Sequence, residues 1–95
     1  MSSYKLGDYT VPPADTFELP EDSVRRSLVE GCFAKLVFDE AERMWVKITK
    51  VVSEGVYEGE LDNVPVCVDL ECGAHIEFEW KHIIDFIPVD VVIEI

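Results

Sequence analysis

Between residues 32 and 87 the chain alternates apolar and polar side chains with a period of two, and this beat most constrains what it can become. Successive side chains of a strand point to opposite faces, so such alternation predicts half-buried strands and not amphipathic helices. In residues 33–38, Ala34, Leu36 and Phe38 point one way, and Phe33, Lys35 and Val37 the other. In the next run Met44, Val46 and Ile48 face the core, leaving Arg43, Trp45, Lys47 and Thr49 outside. Tyr57, Gly59 and Leu61 then share a face opposite Glu58 and Glu60. Ala74, Ile76, Phe78 and Trp80 alternate with His75, Glu77 and Glu79, and Ile83, Ile84, Phe86 and Ile87 supply a last core segment.

Turn residues punctuate these runs. Residues 39–42 are polar, Ser53-Glu54-Gly55 has the glycine a hairpin favours, and 71–73 is a further turn. Asn63 and Pro65 break the third strand, because Asx side chains favour turns and proline removes a ladder donor. Residues 66–68 form a short apolar run containing Cys67. Strands at this spacing predict a mainly β (α+β) fold: a small bent sheet or SH3-like β-barrel of about five strands. One short N-terminal helix is expected over 20–31, capped by Asp22 or Ser23 and stopped by Gly31. Its apolar stripe would be Val24, Leu28 and Val29, with Arg25, Arg26 and Glu30 in water.

Residues 1–20 contain three of the five prolines and read as an extended arm laid over the body through Tyr4, Tyr9 and Phe17. Residues 21–95 read as one globular domain, ending in an apolar, β-branched edge strand at 88–95. That strand would pair with the arm or with its counterpart in a second copy, giving a homodimer.

Charge restricts the partners. Eight Lys and Arg against twenty Asp and Glu leave a net charge of −12. Nucleic acid and anionic membrane are polyanions held through Lys and Arg, so neither is expected to bind. No run approaches the ~20 apolar residues of a membrane helix, and the first ten residues have no signal-peptide pattern. Three cysteines, Cys32, Cys67 and Cys72, cannot all pair within the chain. Free, mostly buried thiols in a reducing cytoplasm are the simplest account.

Chemistry is sparse. Cys67, Cys72, His75 and His82 fall close together, but their spacing fits no closed zinc pattern, and two buried thiols with two surface imidazoles are the expectation. Cys32 follows a helix stop, not an N-terminus that would activate it. Glu58 with Glu60, and Glu77 with Glu79, lie ~6–7 Å apart along strand faces. Acid–base work would need a buried carboxylate, and these faces are expected to be solvated. No cofactor or metal is expected.

The ordered set Met44-Trp45-Val46, Tyr57-x-Gly59-x-Leu61-x-Asn63-x-Pro65, Gly73, Ile76-x-Phe78 and His82-Ile83-Ile84-Asp85-Phe86 resembles a family of small bacterial domains, domain of unknown function 2314 (DUF2314). The resemblance covers about residues 33–87 and implies a compact α+β or barrel-like domain with no agreed activity or cofactor. The chain departs from the family where Phe86 follows Asp85 in place of tryptophan, and in its apolar tail. Gly59, Asn63, Pro65, Gly73 and Asp85 read as architecture, with Asn63 and Asp85 holding the barrel closed. Arg43, Trp45 and Lys47, together with Glu58, Glu60, Glu77 and Glu79, form the candidate interaction surface; the rival for Trp45, and the favoured one, is a place under the N-terminal arm as a second small core. The expected function is a non-enzymatic module for a basic protein partner, of the inhibitor or immunity type. The alternative is a small-molecule or peptide binder using a barrel mouth near Gly59, Trp80 and His82.

Overall fold

A computed structural model of the chain describes residues 4–10, 19–65 and 70–89. These form one five-stranded antiparallel sheet and one short helix. The elements are α1 (Asp22–Arg25), β1 (Phe33–Phe38), β2 (Glu42–Ser53), β3 (Val56–Leu61), β4 (His75–Glu79), a 3-10 turn (Trp80–His82) and β5 (Ile83–Ile87). The strand order is β4-β3-β2-β1-β5. The sheet is open and bent and does not close into a barrel, so the bent-sheet alternative is the one realised.

Its curvature follows from connectivity. β4 and β5 are the outermost strands, about four strand spacings or roughly 19 Å apart in a flat sheet. Only the three-residue turn joins them, and a 3-10 helix advances about 2 Å per residue. The sheet must therefore curl until its edge strands approach one another. β2 permits this by breaking register with β3 between Ile48 and Lys50 and again between Val51 and Ser53. An extra residue at each break bends a strand and increases its twist.

The inward face is the core. Ala34, Leu36, Phe38, Met44, Val46, Ile48, Tyr57, Leu61, Ile76, Phe78 and Ile83 are all buried, as their alternation predicts. Each large member contributes roughly 1.5–3 kcal/mol by leaving water. The arm adds to this face: the Tyr4 ring lies 5.3 Å from Phe38, and Leu6 bridges to Phe38. Phe17 and residues 66–68 lie outside the described part. So does most of the expected strand at 88–95, of which Pro88 and Val89 carry no strand pairing.

The helix departs most from expectation. It spans four residues, its N-cap is Glu21 with no side-chain cap, and Val29 is 55% exposed. The reason is competition for its backbone. The Tyr57 hydroxyl donates to the Arg25 carbonyl at 2.6 Å and accepts from the Leu28 N–H at 3.1 Å. Ser27 Oγ donates to the Ser23 carbonyl at 2.7 Å. Groups that would continue the helix are satisfied elsewhere, and without a second turn a helix is unstable alone. Arg25, expected in water, is 1% exposed. Ile87, expected in the core, is 47% exposed because its partner Phe33 is on the outer face.

Two glycines are fixed by close approach. Gly55 turns β2 into β3 with φ +74°, and a Cβ there would come within 2.7 Å of Trp80 Cδ1. Gly59 sits mid-strand opposite Ile48, where a Cβ would collide with the Lys47 carbonyl oxygen and reach 2.8 Å from Val46 Cγ1. Backbone lies on that side, so relief requires the strands to part. Gly59→Ala is expected to cost about 1–3 kcal/mol by urea denaturation; a cost below about 0.5 kcal/mol would mean that the strands separate freely.

Candidate interaction surface

The seven residues singled out on the outward side all reach one face of the sheet, and the strand register sets their order. One row runs Ile87–Phe33–Lys47–Glu60–His75 across all five strands. A second runs Asp85–Lys35–Trp45. Val37, expected on the outer side, is buried at 7% exposure and pairs with Arg43; Lys50 pairs with Glu58 and then Glu77, and Val56 with Glu79. The face is therefore divided by charge. β1 and β2 contribute Lys35, Arg43 and Lys47 beside Trp45, with Lys50 further along β2, while β3 and β4 contribute Glu58, Glu60, Glu77 and Glu79.

Glu58 and Glu77 lie directly opposite one another, an arrangement that destabilises when both are charged. His75 lies beside this pair, its Nε2 3.6 Å from Glu58 Oε1 and 3.6 Å from Glu77 Oε2. Glu60, Glu77 and Glu79 are exposed and Glu58 is partly so. Among the described residues these carboxylates lie on an open face in contact with water.

Trp45 is half-buried, with the Lys35 ammonium 5.4 Å from its ring centroid, a cation–π contact. Its backbone N–H donates to Asn63 Oδ1, which ties the loop after β3 back to β2. Asp85 has a different place from Asn63. It lies within β5, exposed, accepting the N–H of Phe86 at 2.8 Å, so among the described residues its carboxylate ties no second element. Pro65 is half-buried in the loop beyond Asn63, and Gly73 adopts φ +92° with open space beside it.

Among the described residues, Gly59, Trp80 and His82, assigned to a barrel mouth, line neither of the cavities found. Gly59 is covered by β2, as above. Trp80 packs over Gly55, with the Arg26 guanidinium 4.3 Å and the Arg25 guanidinium 5.1 Å from its ring. Among the described residues, cavities flank β1 at either end. One of about 380 Å³ is lined by Tyr9, Val37, Glu40, Ala41 and Arg43. The other, about 660 Å³, is lined by Gly31, Phe33, Lys47, Ile87, Pro88 and Val89.

Cys72 is exposed in its turn, against the expectation of a buried thiol, whereas Cys32 is buried. Cys67 lies outside the described part, and no group of His, Cys, Asp or Glu among the described residues is placed to hold a metal ion. No described helix is long and apolar enough to cross a membrane. No family model, curated protein or solved structure matches the chain.

His82 closes the corner between β4 and β5. Its Nδ1 accepts the Glu79 N–H at 2.9 Å while the Glu79 side chain accepts the His82 N–H, a reciprocal capping box. Burial pushes the His82 pKa below the usual 6.5, outweighing the pull of Glu79 and Asp8. The folded state thus binds fewer protons here than the unfolded chain, so stability rises with pH through this window. It is lost as pH falls from the ordinary 6.5 towards the depressed folded value. His82→Asn keeps an acceptor but does not titrate. Denaturation midpoints measured from pH 7.5 to 5.5 should fall more for the native chain than for this variant, and parallel curves would contradict the assignment.

Proposed function

We propose that the chain is a small acidic interaction module, without catalytic residues, whose β3–β4 surface meets a basic protein partner. The observation that carries this reading is the placement of Glu58, Glu60, Glu77 and Glu79 on one outward face of two neighbouring strands, with β4 at the sheet edge. A partner can approach that edge without displacing the core. An acidic field of this kind speeds encounter with a cationic protein. An inhibitor or immunity protein directed at a basic toxin or nuclease in the bacterial cytoplasm is the concrete form we favour. The free thiols of Cys32 and Cys72 suit that reducing compartment. Membership of the DUF2314 family belongs to the same proposal, supported by the roles of Gly59 as a close-packed strand position and Asn63 as an inter-strand tie.

The second reading, a peptide or small-molecule binder, is favoured by the two cavities beside β1.

The electrostatic reading is tested with a cationic peptide of alternating Lys and Val, titrated by calorimetry at two salt concentrations. Affinity should fall about tenfold or more between ~50 and ~300 mM salt, as screening shortens the Debye length. Glu58→Lys with Glu77→Lys should weaken binding further. Affinity that ignores both salt and these charges would remove the acidic face from the function.

A further inference from the structure

The outer face of β1 and β2 has a composition unlike the rest of this acidic chain. Its register brings together three cross-strand pairs: Phe33 with Lys47, Lys35 with Trp45, and Val37 with Arg43. Each pair joins one apolar side chain to one cation, and no carboxylate lies within the three rows of these two strands. The two cavities are at opposite ends of this track. The larger holds Phe33 and Lys47, and the smaller holds Val37 and Arg43. Lys35 and the half-buried Trp45 lie between them.

We propose that this track binds an extended acidic peptide segment, with a carboxylate over Lys35 and Trp45 and an apolar side chain in each flanking cavity. Phe33 and Val37 are four residues apart on one strand, a span of about 13 Å. An extended ligand of about five residues covers that distance, placing its first, third and fifth side chains on one face. The apolar walls of the larger cavity, Phe33, Ile87, Pro88 and Val89, suit an aliphatic anchor. The surface is separate from the β3–β4 carboxylates and goes beyond the reading given for them.

Charge selects the occupant. Arg43 is already engaged within the chain, so recognition rests on Lys35 and Lys47, neither of which is ion-paired among the described residues. Opposing carboxylates are present at the margins: Asp85 opposite Lys35, Glu60 opposite Lys47, and Glu40 in the smaller cavity. They limit affinity and disfavour a long polyanion. Nucleic acid would meet the whole field of a chain with net charge −12, whereas a short peptide meets only the track.

The test uses the full chain and the blocked peptide Leu-Ser-Glu-Ser-Leu, with Leu-Ser-Lys-Ser-Leu as its charge-inverted control. Binding is followed by calorimetry and by tryptophan emission, since Trp45 lies in the track. The acidic peptide should bind with a change in emission, and the Lys peptide should bind at least about fivefold more weakly. Lys35→Met keeps the aliphatic stem over Trp45 and removes only the charge, so it should weaken the acidic peptide about threefold or more without loss of fold. Glu77→Lys should leave this affinity within about twofold. Equal binding of the two peptides, indifference to Lys35→Met, or no binding at about 1 mM peptide would overturn the proposal. Tighter binding of a thymidine oligonucleotide would replace the peptide by a nucleic acid. A dimer in sedimentation that excludes the peptide would replace it by a second copy of the chain.

Discussion

A guanidinium that is 1% exposed survives in an apolar core only when its protons are engaged, because stripping an ion of water costs several kcal/mol. Arg25 meets that condition by reaching four segments at once. Nη1 donates to the Ile83 carbonyl at 3.0 Å and lies 3.5 Å from that of Trp80. Nη2 donates to the Tyr9 carbonyl at 3.2 Å and to Asp22 Oδ1 at 2.7 Å. The helix, the arm, the 3-10 turn and β5 are thereby fixed around one side chain, with only Nε unpartnered. Because Asp22 is largely solvated, the ion pair is the smaller part of this arrangement and the buried carbonyls the larger.

The corner built around Arg25 completes the sheet. A sheet whose two edge strands are joined by three residues has to be held in its curl, and that corner is where the curl is fixed. The Trp80 backbone N–H donates to the Gly55 carbonyl at 2.8 Å, while its ring is flanked by Arg25 and Arg26. Tyr57 links the same region to the core by taking the Arg25 carbonyl. With curvature settled there, the outer face of β1–β4 carries charge at most of its positions, with packing confined to Phe33, Val37 and Trp45. Its division into cationic and acidic halves follows from which strand each residue occupies.

The parts of the fold legible in the sequence were those governed by period. Alternation placed Ala34, Leu36, Met44, Val46, Ile48, Ile76 and Phe78 inside, because a strand's side-chain direction is set by the backbone alone. It also put the seven candidate surface residues on one side. Arg25 was not legible: beside Arg26 in a short helical pattern it looks like any solvated cation. Its burial depends on carbonyls from residues 9, 80 and 83, which no local window contains. The helix length failed for the same reason, since the competing partner, Tyr57, comes from β3. Asp85 and Asn63 looked alike as turn-shaping Asx residues, yet only Asn63 faces a neighbouring strand's free N–H.

The account depends most on Arg25 acting as a tie and not as a solvated charge. The direct measurement is the urea unfolding free energy of Arg25→Met beside that of Asp22→Asn. Losing the guanidinium leaves the carbonyls of Tyr9 and Ile83 without their donor, so Arg25→Met should cost about 3–5 kcal/mol. Asp22→Asn, which removes only an exposed counter-charge, should cost about 1 kcal/mol or less. If Arg25→Met costs no more than Asp22→Asn, the corner is held by packing alone and the account is wrong.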